Sequence, residues 1–214
     1  MNPSVNTISS QLHIAYQCLN RVFFDNLLPD VAITIQTGGK RNTMGWCTVN
    51  PIWRDKEKTI QMYEINIAAE YLNIDFYEVM DTLLHEMVHL YCKVNGIKDT
   101  SRAGEYHNKN FRNECLKRGF YYETETPDTR LGYAFPKITE NTKRLIDEFP
   151  VDRVAFKIAR ATFGNLSAET EEENSFEEEK KTYKYTCPKC GQFFRSKKKL
   201  YLLCAICDKT METF

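Results

Sequence analysis

Two histidines and a glutamate lie close together in the motif His85-Glu86-Met87-Val88-His89. On a helix, residues four apart lie one turn apart on the same face, so both imidazoles can reach one metal ion. Zinc suits this arrangement, because neutral imidazole binds it at about 2.0–2.1 Å. Glu86 can then accept a proton from the zinc-bound water and pass it to a leaving amine. The motif therefore predicts zinc-dependent hydrolysis of a peptide bond.

A catalytic zinc usually has three protein ligands and one open position, so a third ligand is needed. The two histidines outside the motif are His13 and His107. His13 lies near the polar edge of the first predicted helix, where we expect it to face solvent. We therefore expect His107 to be the third ligand. The downstream carboxylates of Glu105 and Glu114 are the alternatives.

Four of the eight cysteines form two CxxC pairs near the carboxyl end of the chain: Cys187, Cys190, Cys204 and Cys207. Each CxxC turn aims two thiolates at one point, and two such turns can close a zinc site that has no open position. A redox pair would lie near a βαβ pattern, which the sequence lacks. The sequence thus predicts two zinc ions, one catalytic and one structural.

Aromatic and basic residues alternate around and between the two cysteine pairs. Exposed rings can stack on bases while cations follow the phosphates, which is a binding mode for single strands that tolerates many sequences. The candidate residues for contact with nucleic acid are Tyr185, Phe194, Arg195, Lys197, Lys198 and Lys199. So small a domain must also use some aromatic residues as its own core, and this structural role is the alternative for each ring.

The distribution of charge divides the chain, although it is neutral as a whole with 29 basic and 29 acidic residues. Residues 167–181 are rich in glutamate and cannot bury themselves, which indicates a solvated acidic linker. Residues 182–214 are basic, and residues 1–166 carry a balanced charge. We therefore predict a catalytic domain over 1–166, the linker over 167–181 and a zinc ribbon over 182–214.

The composition favours a soluble globular protein, with 42% hydrophobic and 27% charged residues. No apolar run is long enough to span a membrane, and the first residues lack the features of a secretory signal. We expect no membrane partner and an intracellular location, which is cytoplasmic or nucleoid-associated in a bacterium and nuclear in a eukaryote. The sequence does not indicate an oligomeric state.

Hydrophobic periodicity predicts the elements that must position these residues. Helices are expected near residues 9–25, 75–95, 106–118 and 138–149, and a further helix is favoured within 151–165. Strands are expected at 31–37, 43–49 and 58–68, with a turn at 51–55. Asp75 and Glu78 form a capping-box-like pair at the start of the helix that carries the histidine motif. The fold class is therefore α+β, with this helix packed on a small sheet.

These motifs resemble the SprT/Spartan family of metalloproteases. HEMVHLY (85–91), followed by His107-Asn108-Lys109-Asn110-Phe111, is similar to the family signature of HExxH and, after a variable insert, H-G-x-x-F. FFDNLLP (23–29) resembles the end of the family's first helix. Thr43-Met44-Gly45-Trp46 resembles the glycine-containing strand before its active-site helix, and the cysteine pairs resemble its zinc ribbon. The resemblance implies a zincin-like metalloprotease domain followed by a small zinc ribbon with four cysteine ligands.

The sequence departs from this signature at Asn108, where the family has glycine. After glycine, asparagine is the residue that most readily adopts a left-handed or turn conformation. We therefore expect the loop geometry, and with it the role of His107, to be kept.

The resemblance also implies a zinc endopeptidase that acts on DNA-associated or DNA-crosslinked proteins, and so takes part in DNA–protein crosslink repair. Its expected partners are a protein substrate and DNA, either single-stranded or at a junction of single and double strands. One alternative is a peptidase with a non-DNA target whose ribbon docks a protein. The other is a non-catalytic DNA-binding zinc protein, against which the intact Glu86 argues. Tyr91, Arg102, Tyr106 and the zinc ion itself are candidates for stabilising the oxyanion.

Overall fold

The computed structural model describes residues 2–38, 43–161 and 183–213. The chain divides into two compact units, Met1–Leu166 and Ser167–Phe214. The predicted acidic linker, residues 167–181, lies outside the described residues. Among the described residues, no helix is long and apolar enough to cross a membrane.

The first unit mixes helices with a small sheet. Its helices are α1 (Val5–Phe23), α2 (Phe76–Val94), α3 (Lys109–Lys117) and α4 (Glu140–Asp147). The strands of the sheet are β1 (Val31–Gln36), β2 (Gly45–Cys47), β3 (Trp53–Arg54) and β4 (Gln61–Ala68). Two further strand pairs follow, β5 (Thr100–Ser101) with β6 (Tyr106–His107) and β7 (Phe120–Tyr121) with β8 (Lys137–Ile138).

Strand β4 lies at the centre of the sheet. It pairs in parallel with β1 and antiparallel with β2 and β3. Helix α2 packs against β2 and β4, and α1 packs against β1. The core between these layers is apolar and fully buried, and it includes Leu12, Leu19, Ile65, Ile67, Leu83 and Met87. Helix α2 is therefore held rigidly between the sheet and the other helices.

Helix α2 begins as the sequence predicts, although its expected capping box does not form. The side chain of Asp75 accepts a hydrogen bond from the backbone N–H of Tyr77 at 2.9 Å, which satisfies one free donor of the first turn. Glu78 does not reach back to Asp75. Its carboxylate instead accepts two hydrogen bonds from Lys137, on β8. The glutamate thus ties α2 to a neighbouring strand rather than to its own start.

The predicted helix over 106–118 is shorter than expected. Residues 106 and 107 form strand β6, because they pair with Thr100 and Ser101. The helix begins only at Lys109.

Two other local predictions were wrong. The segment 51–55, predicted as a turn, contains strand β3, which pairs with β4. The segment 151–165, for which a helix was favoured, holds only a short 3-10 helix, Arg153–Lys157, in its described part. The backbone of Phe156 (φ −86°, ψ 25°) departs from helical geometry there.

The second unit consists of short strands. They are β9 (Tyr183–Thr186), β10 (Phe193–Ser196), β11 (Leu203–Cys204), β12 (Lys209–Thr210) and β13 (Glu212–Thr213). Strand β9 lies between β10 and β13, and β11 pairs with β12. Tyr185 on β9 is 1% exposed and is buried in this unit together with Cys187 and Cys204.

Asp81 provides a test of how α2 contacts β8. Its carboxylate accepts a hydrogen bond from the backbone N–H of Ile138 at 3.0 Å. Burial raises the pKa of Asp81 to about 6, although the Ile138 N–H and the charge of Lys137 both lower it. A raised acid pKa means that the fold favours the protonated form. The stability that this group contributes is therefore present below about pH 4 and is lost as the pH rises through 6.

We accordingly expect Asp81→Asn to stabilise the first unit above pH 7 by roughly 1–3 kcal/mol and to have little effect near pH 4. Urea unfolding, followed by the fluorescence of Trp46 and Trp53, measures this unit, because the chain has no other tryptophan. Glu125→Gln, at an exposed position, is the matched control. An Asp81→Asn effect that does not change with pH would contradict the assignment.

Candidate metal centre

Three histidines meet beside helix α2. His85 and His89 lie one turn apart on α2, and His107 lies on β6. One ring nitrogen from each lies within 4.8 Å of the others. The Nε2 atoms of His89 and His107 are only 3.1 Å apart. The structure thus brings together the three residues that the sequence predicts as ligands.

Backbone and carboxylate acceptors fix the orientation of two of these rings. Nδ1 of His89 donates to the carboxylate of Asp99 at 2.6 Å, and Nδ1 of His107 donates to the carbonyl of Leu131 at 3.3 Å. Both acceptors lack a proton, so each Nδ1 must carry one. When both rings are neutral, as metal binding requires, each has only this one N–H, and the lone pairs of the two Nε2 atoms face each other.

These facing lone pairs fit a metal ion. Two unprotonated nitrogens 3.1 Å apart repel each other unless a cation lies between them. In a tetrahedral zinc site with Zn–N bonds of about 2.0–2.1 Å, the nitrogens are separated by about 3.4 Å. The distance between His89 and His107 is close to this value. The donor set is thus compatible with zinc.

Burial favours the neutral form of His85 and His107, which is the form that binds metal. Burial lowers the pKa of His85 well below its ordinary value, and the charges of His89 and His107 lower it further. Burial also lowers the pKa of His107 to about 4. His89 adds to this effect, while the Leu131 carbonyl opposes it.

Phe111 forms the apolar floor of the site. Its ring stacks on that of His89 with the centroids 4.4 Å apart and an angle of 23° between the planes, and its centroid lies 4.8 and 4.7 Å from those of His85 and His107. The residue is completely buried in the first turn of α3. It therefore limits the rotation of all three imidazoles at once.

Asn108 is the N-cap residue of α3. Its backbone is extended (φ −89°, ψ −174°), so this position does not use the left-handed conformation that asparagine can adopt. Its side chain instead caps the helix, because the amide oxygen accepts from the backbone N–H groups of Asn110 and Phe111. Its amide nitrogen donates to the carbonyl of Lys98 at 2.7 Å. Asparagine here thus fixes the position of Phe111 below the histidines.

Gly132 lets a neighbouring loop approach His107. The backbone N–H of Tyr133 donates to the carbonyl of His107, and the N–H of His107 donates to Leu131. A Cβ atom on Gly132 would lie 2.1 Å from the carbonyl oxygen of His107, and φ is +71°. Only glycine avoids both the clash and the strain of this conformation. The loop can therefore hold the backbone of His107 from one side.

Glu86 lies in the same turn of α2 as the histidines and is 6% exposed. Burial raises its pKa to about 7. His89 and the backbone N–H of Cys47 lower this pKa, whereas Asp99 raises it. Strand β2 can pack directly over Glu86 because residue 45 is glycine. A Cβ there would lie 2.9 Å from the Thr82 side chain and 3.2 Å from Cγ of Glu86.

Asp99 contacts the site and was not foreseen from the sequence. It is completely buried, and its second carboxylate oxygen accepts from Lys93 at 2.9 Å. Burial raises its pKa, but the hydrogen bonds and charges of His89 and Lys93 hold that pKa well below its ordinary range. The only sequence signal was an acidic residue soon after the end of the histidine helix, which is a common arrangement on any protein surface.

The other candidate ligands lie in different surroundings. Glu114 forms ion pairs with Lys117 and Arg118, and Glu105 and His13 have exposed side chains. Three residues were candidates for oxyanion stabilisation, namely Tyr91, Arg102 and Tyr106. Arg118 lies 3.7 Å above the ring of Tyr91, and Arg102 lies 4.5 Å above that of Tyr106. These contacts do not assign the oxyanion role to any of the three.

The four cysteines of the second unit form another group that could hold a metal. Their sulfurs lie within 4.8 Å of one another, and those of Cys190 and Cys204 are 3.6 Å apart. Zn–S bonds of about 2.3 Å in a tetrahedral site separate the sulfurs by about 3.8 Å. The backbone N–H of Cys190 is the main cause that lowers the pKa of Cys187 to about 7. This donor set is compatible with zinc and consistent with a zinc ribbon.

The predicted nucleic-acid contacts differ in their exposure. Most of them are exposed, namely Phe194, Arg195, Lys197, Lys198 and Lys199. Tyr185 is buried, and its hydroxyl accepts from the backbone N–H of Leu200 at 2.6 Å, so including it among the contacts was wrong. A ring inside the core has no free face for a base. Phe193 and Tyr201 are exposed rings that the predicted set omits, at 62% and 79%.

Zinc content tests the ligand assignment directly. We expect two zinc ions per wild-type chain and about one for His107→Ala after dialysis against a chelator. Loss of a ligand should lower the affinity for zinc by more than the roughly 10–100-fold that follows removal of a residue hydrogen-bonded to a ligand. Elemental analysis measures this ratio, with Glu105→Ala as the control for the alternative ligand. A zinc content that falls in Glu105→Ala but not in His107→Ala would contradict the assignment.

A comparison with protein families gives one match. The model of the SprT-like family matches residues 12–130. This range is more than half of the chain, and it includes most of α1, the sheet, α2, α3 and all three histidines. No curated protein and no solved structure matches the chain significantly. The match confirms the resemblance seen in the sequence: the chain belongs to the SprT-like family.

Proposed function

We propose that this protein is a zinc-dependent endopeptidase with a zincin-like catalytic domain. In this proposal His85, His89 and His107 hold the catalytic metal, and Glu86 is the general base and acid. One observation carries it: a ring nitrogen of His85, His89 and His107 lies within 4.8 Å of the others, beside the buried Glu86 on the helix that carries two of them. The match to the SprT-like family supports a metallopeptidase-like protein.

The chemistry divides between the metal and the protein. When bound, zinc would polarise the peptide carbonyl and lower the pKa of water towards about 7. The carboxylate of Glu86 takes a proton from the attacking water and then gives it to the leaving amine. Its burial excludes competing water, and the packing of β2 over α2 limits its movement.

A catalytic role fits the ligand set better than a structural one. Structural zinc sites are usually closed by four protein ligands, whereas catalytic sites have three. In the part of the chain that the structure describes, the histidine group contains three members and the cysteine group four. The two groups therefore match the two kinds of site, which supports one catalytic and one structural zinc.

DNA-associated or DNA-crosslinked protein is the substrate that we propose. Support comes from exposed rings and cations in the second unit. Lys184 and Arg195 lie 5.2 and 5.8 Å from the ring centroid of Phe193, which is itself exposed. Flat rings flanked by cations suit single-stranded DNA, because each base has a face that can stack.

A ribbon that docks a protein partner is the second candidate. Leu203 and Ile206 are 59% and 73% exposed in the same unit. Exposed apolar side chains of this kind also occur at protein interfaces. In this case the peptidase chemistry is unchanged, but the target contains no DNA.

Cleavage of a protein covalently attached to DNA tests the proposed activity. We expect Glu86→Gln to lower the cleavage rate by roughly 10²–10⁴-fold, because the amide cannot accept the proton, while both zinc ions are retained. Glu78→Gln is the matched control, since Glu78 lies on the same helix but binds Lys137. The protein is offered attached to single-stranded DNA, attached to double-stranded DNA and free of DNA.

Cleavage that needs both Glu86 and DNA would support the proposal in full. Cleavage that needs Glu86 but not DNA would favour the second candidate. Equal activity in wild type and Glu86→Gln would contradict the peptidase mechanism.

The ribbon is tested by its affinity for single-stranded DNA at several salt concentrations. Each phosphate contact on a single strand adds about −0.7 to the slope of log affinity against log salt. Replacing Lys197, Lys198 and Lys199 by alanine should therefore reduce that slope by about 2 if all three contact phosphates. Phe194→Ala should weaken the free energy of binding to single-stranded DNA by about 1–3 kcal/mol if a base stacks on its ring. Ile206→Ala is the control, and an affinity and a salt slope that stay the same in all variants would contradict a DNA-binding role for the ribbon.

A further inference from the structure

Asp99 uses both oxygens of a completely buried carboxylate. Oδ2 accepts from Nδ1 of His89 at 2.6 Å, and Oδ1 accepts from Nζ of Lys93 at 2.9 Å. The two donors lie one turn apart on α2, whereas Asp99 lies beyond the end of that helix. A buried charge is costly unless it is paired and hydrogen-bonded, and here both requirements are met.

The bond to His89 selects one tautomer of that ring. With its proton held on Nδ1 by a carboxylate, the imidazole presents an unprotonated Nε2 to His107 and the candidate metal position. A carboxylate that binds the outer nitrogen of a metal-ligating histidine fixes the ring orientation and raises its basicity. Asp99 has the geometry for this role.

The backbone beside Asp99 also holds the third histidine. The carbonyl of Asp99 accepts from the backbone N–H of Asn108 at 2.9 Å, and Thr100 pairs with His107 across strands β5 and β6. The carbonyl of Lys98 accepts from the side chain of Asn108. One short segment, residues 98–100, thus contacts the helix that carries His89 and the strand that carries His107.

We propose that Asp99 is the positioning residue of the histidine site: its carboxylate sets the tautomer of His89, and its segment places His107 opposite. This inference rests on the proposed function, in which these histidines hold zinc. Lys93 neutralises the buried carboxylate and does not contact a histidine through any bond described above. The two partners of Asp99 therefore have separable roles.

Two variants that break the same ion pair distinguish positioning from a purely structural role. Asp99→Asn removes the carboxylate that orients His89, whereas Lys93→Gln leaves it in place. If Asp99 served only to pair with Lys93, both variants would weaken metal binding equally. If it positions His89, only Asp99→Asn weakens metal binding, by roughly 10–100-fold.

The full chain, loaded with one equivalent of zinc, is used for the measurement. We expect the four cysteine thiolates to bind this zinc, because soft ligands hold it more tightly than the histidines do. Zinc itself has no visible absorption and does not interfere with the next step. Co²⁺ is then titrated into the histidine site, and its visible absorption gives a dissociation constant. Asp81→Asn, which removes a partly buried carboxylate elsewhere on α2, is the matched control.

We expect wild type, Lys93→Gln and Asp81→Asn to bind Co²⁺ with similar affinity and Asp99→Asn to bind it more weakly. Similar affinity in Asp99→Asn, or equal losses in Asp99→Asn and Lys93→Gln, would overturn the positioning role but leave the metal site standing. A wild-type chain that takes up no second metal would overturn the proposed function together with this inference.

A measurement on the wild type guards against a variant that does not fold. Nitrogen-15 NMR of the chain with one zinc reports the tautomer of each histidine before the second metal is added. His89 is expected to carry its proton on Nδ1. A proton on Nε2 would overturn the inference without any substitution.

Discussion

The site depends on a repulsion between two nitrogen atoms. Nε2 of His89 and Nε2 of His107 lie 3.1 Å apart, and the acceptors behind both rings hold their Nδ1 protons, so two neutral rings present their lone pairs to each other. Such a pair needs a proton or a metal ion between the atoms. Contacts elsewhere in the first unit hold the rings in place. The core packs against α2, β5 pairs with β6, and the buried Phe111 fills the space below the rings.

Packing around this point also confines the catalytic glutamate that we propose. Strand β2 contacts α2 closely, because residue 45 has no side chain, and Glu86 is thereby removed from bulk water. A buried carboxyl of this kind can exchange a proton near neutral pH, which is what general acid–base catalysis requires.

Most of the candidate ligands and the helix that carries two of them could be predicted from the sequence, because local patterns determine them. The spacing of His85 and His89 on an amphipathic helix, the buried stripe of α2 and the two CxxC pairs are short-range signals. Contacts between distant segments left no such signal. Asp99 and the pairing of Thr100 with His107 depend on how a loop folds back on α2, and Tyr185 could be assigned to the ribbon core only once its strand had neighbours.

The central claim is that three histidines bind one metal ion and four cysteines bind another. Diffraction from crystals of the full chain, recorded on both sides of the zinc absorption edge, tests it most directly. We expect two anomalous peaks. One should lie about 2.0–2.1 Å from a ring nitrogen of His85, His89 and His107, and the other about 2.3 Å from the four cysteine sulfurs. A single peak at the cysteines, with the histidines bonded only to one another, would contradict it.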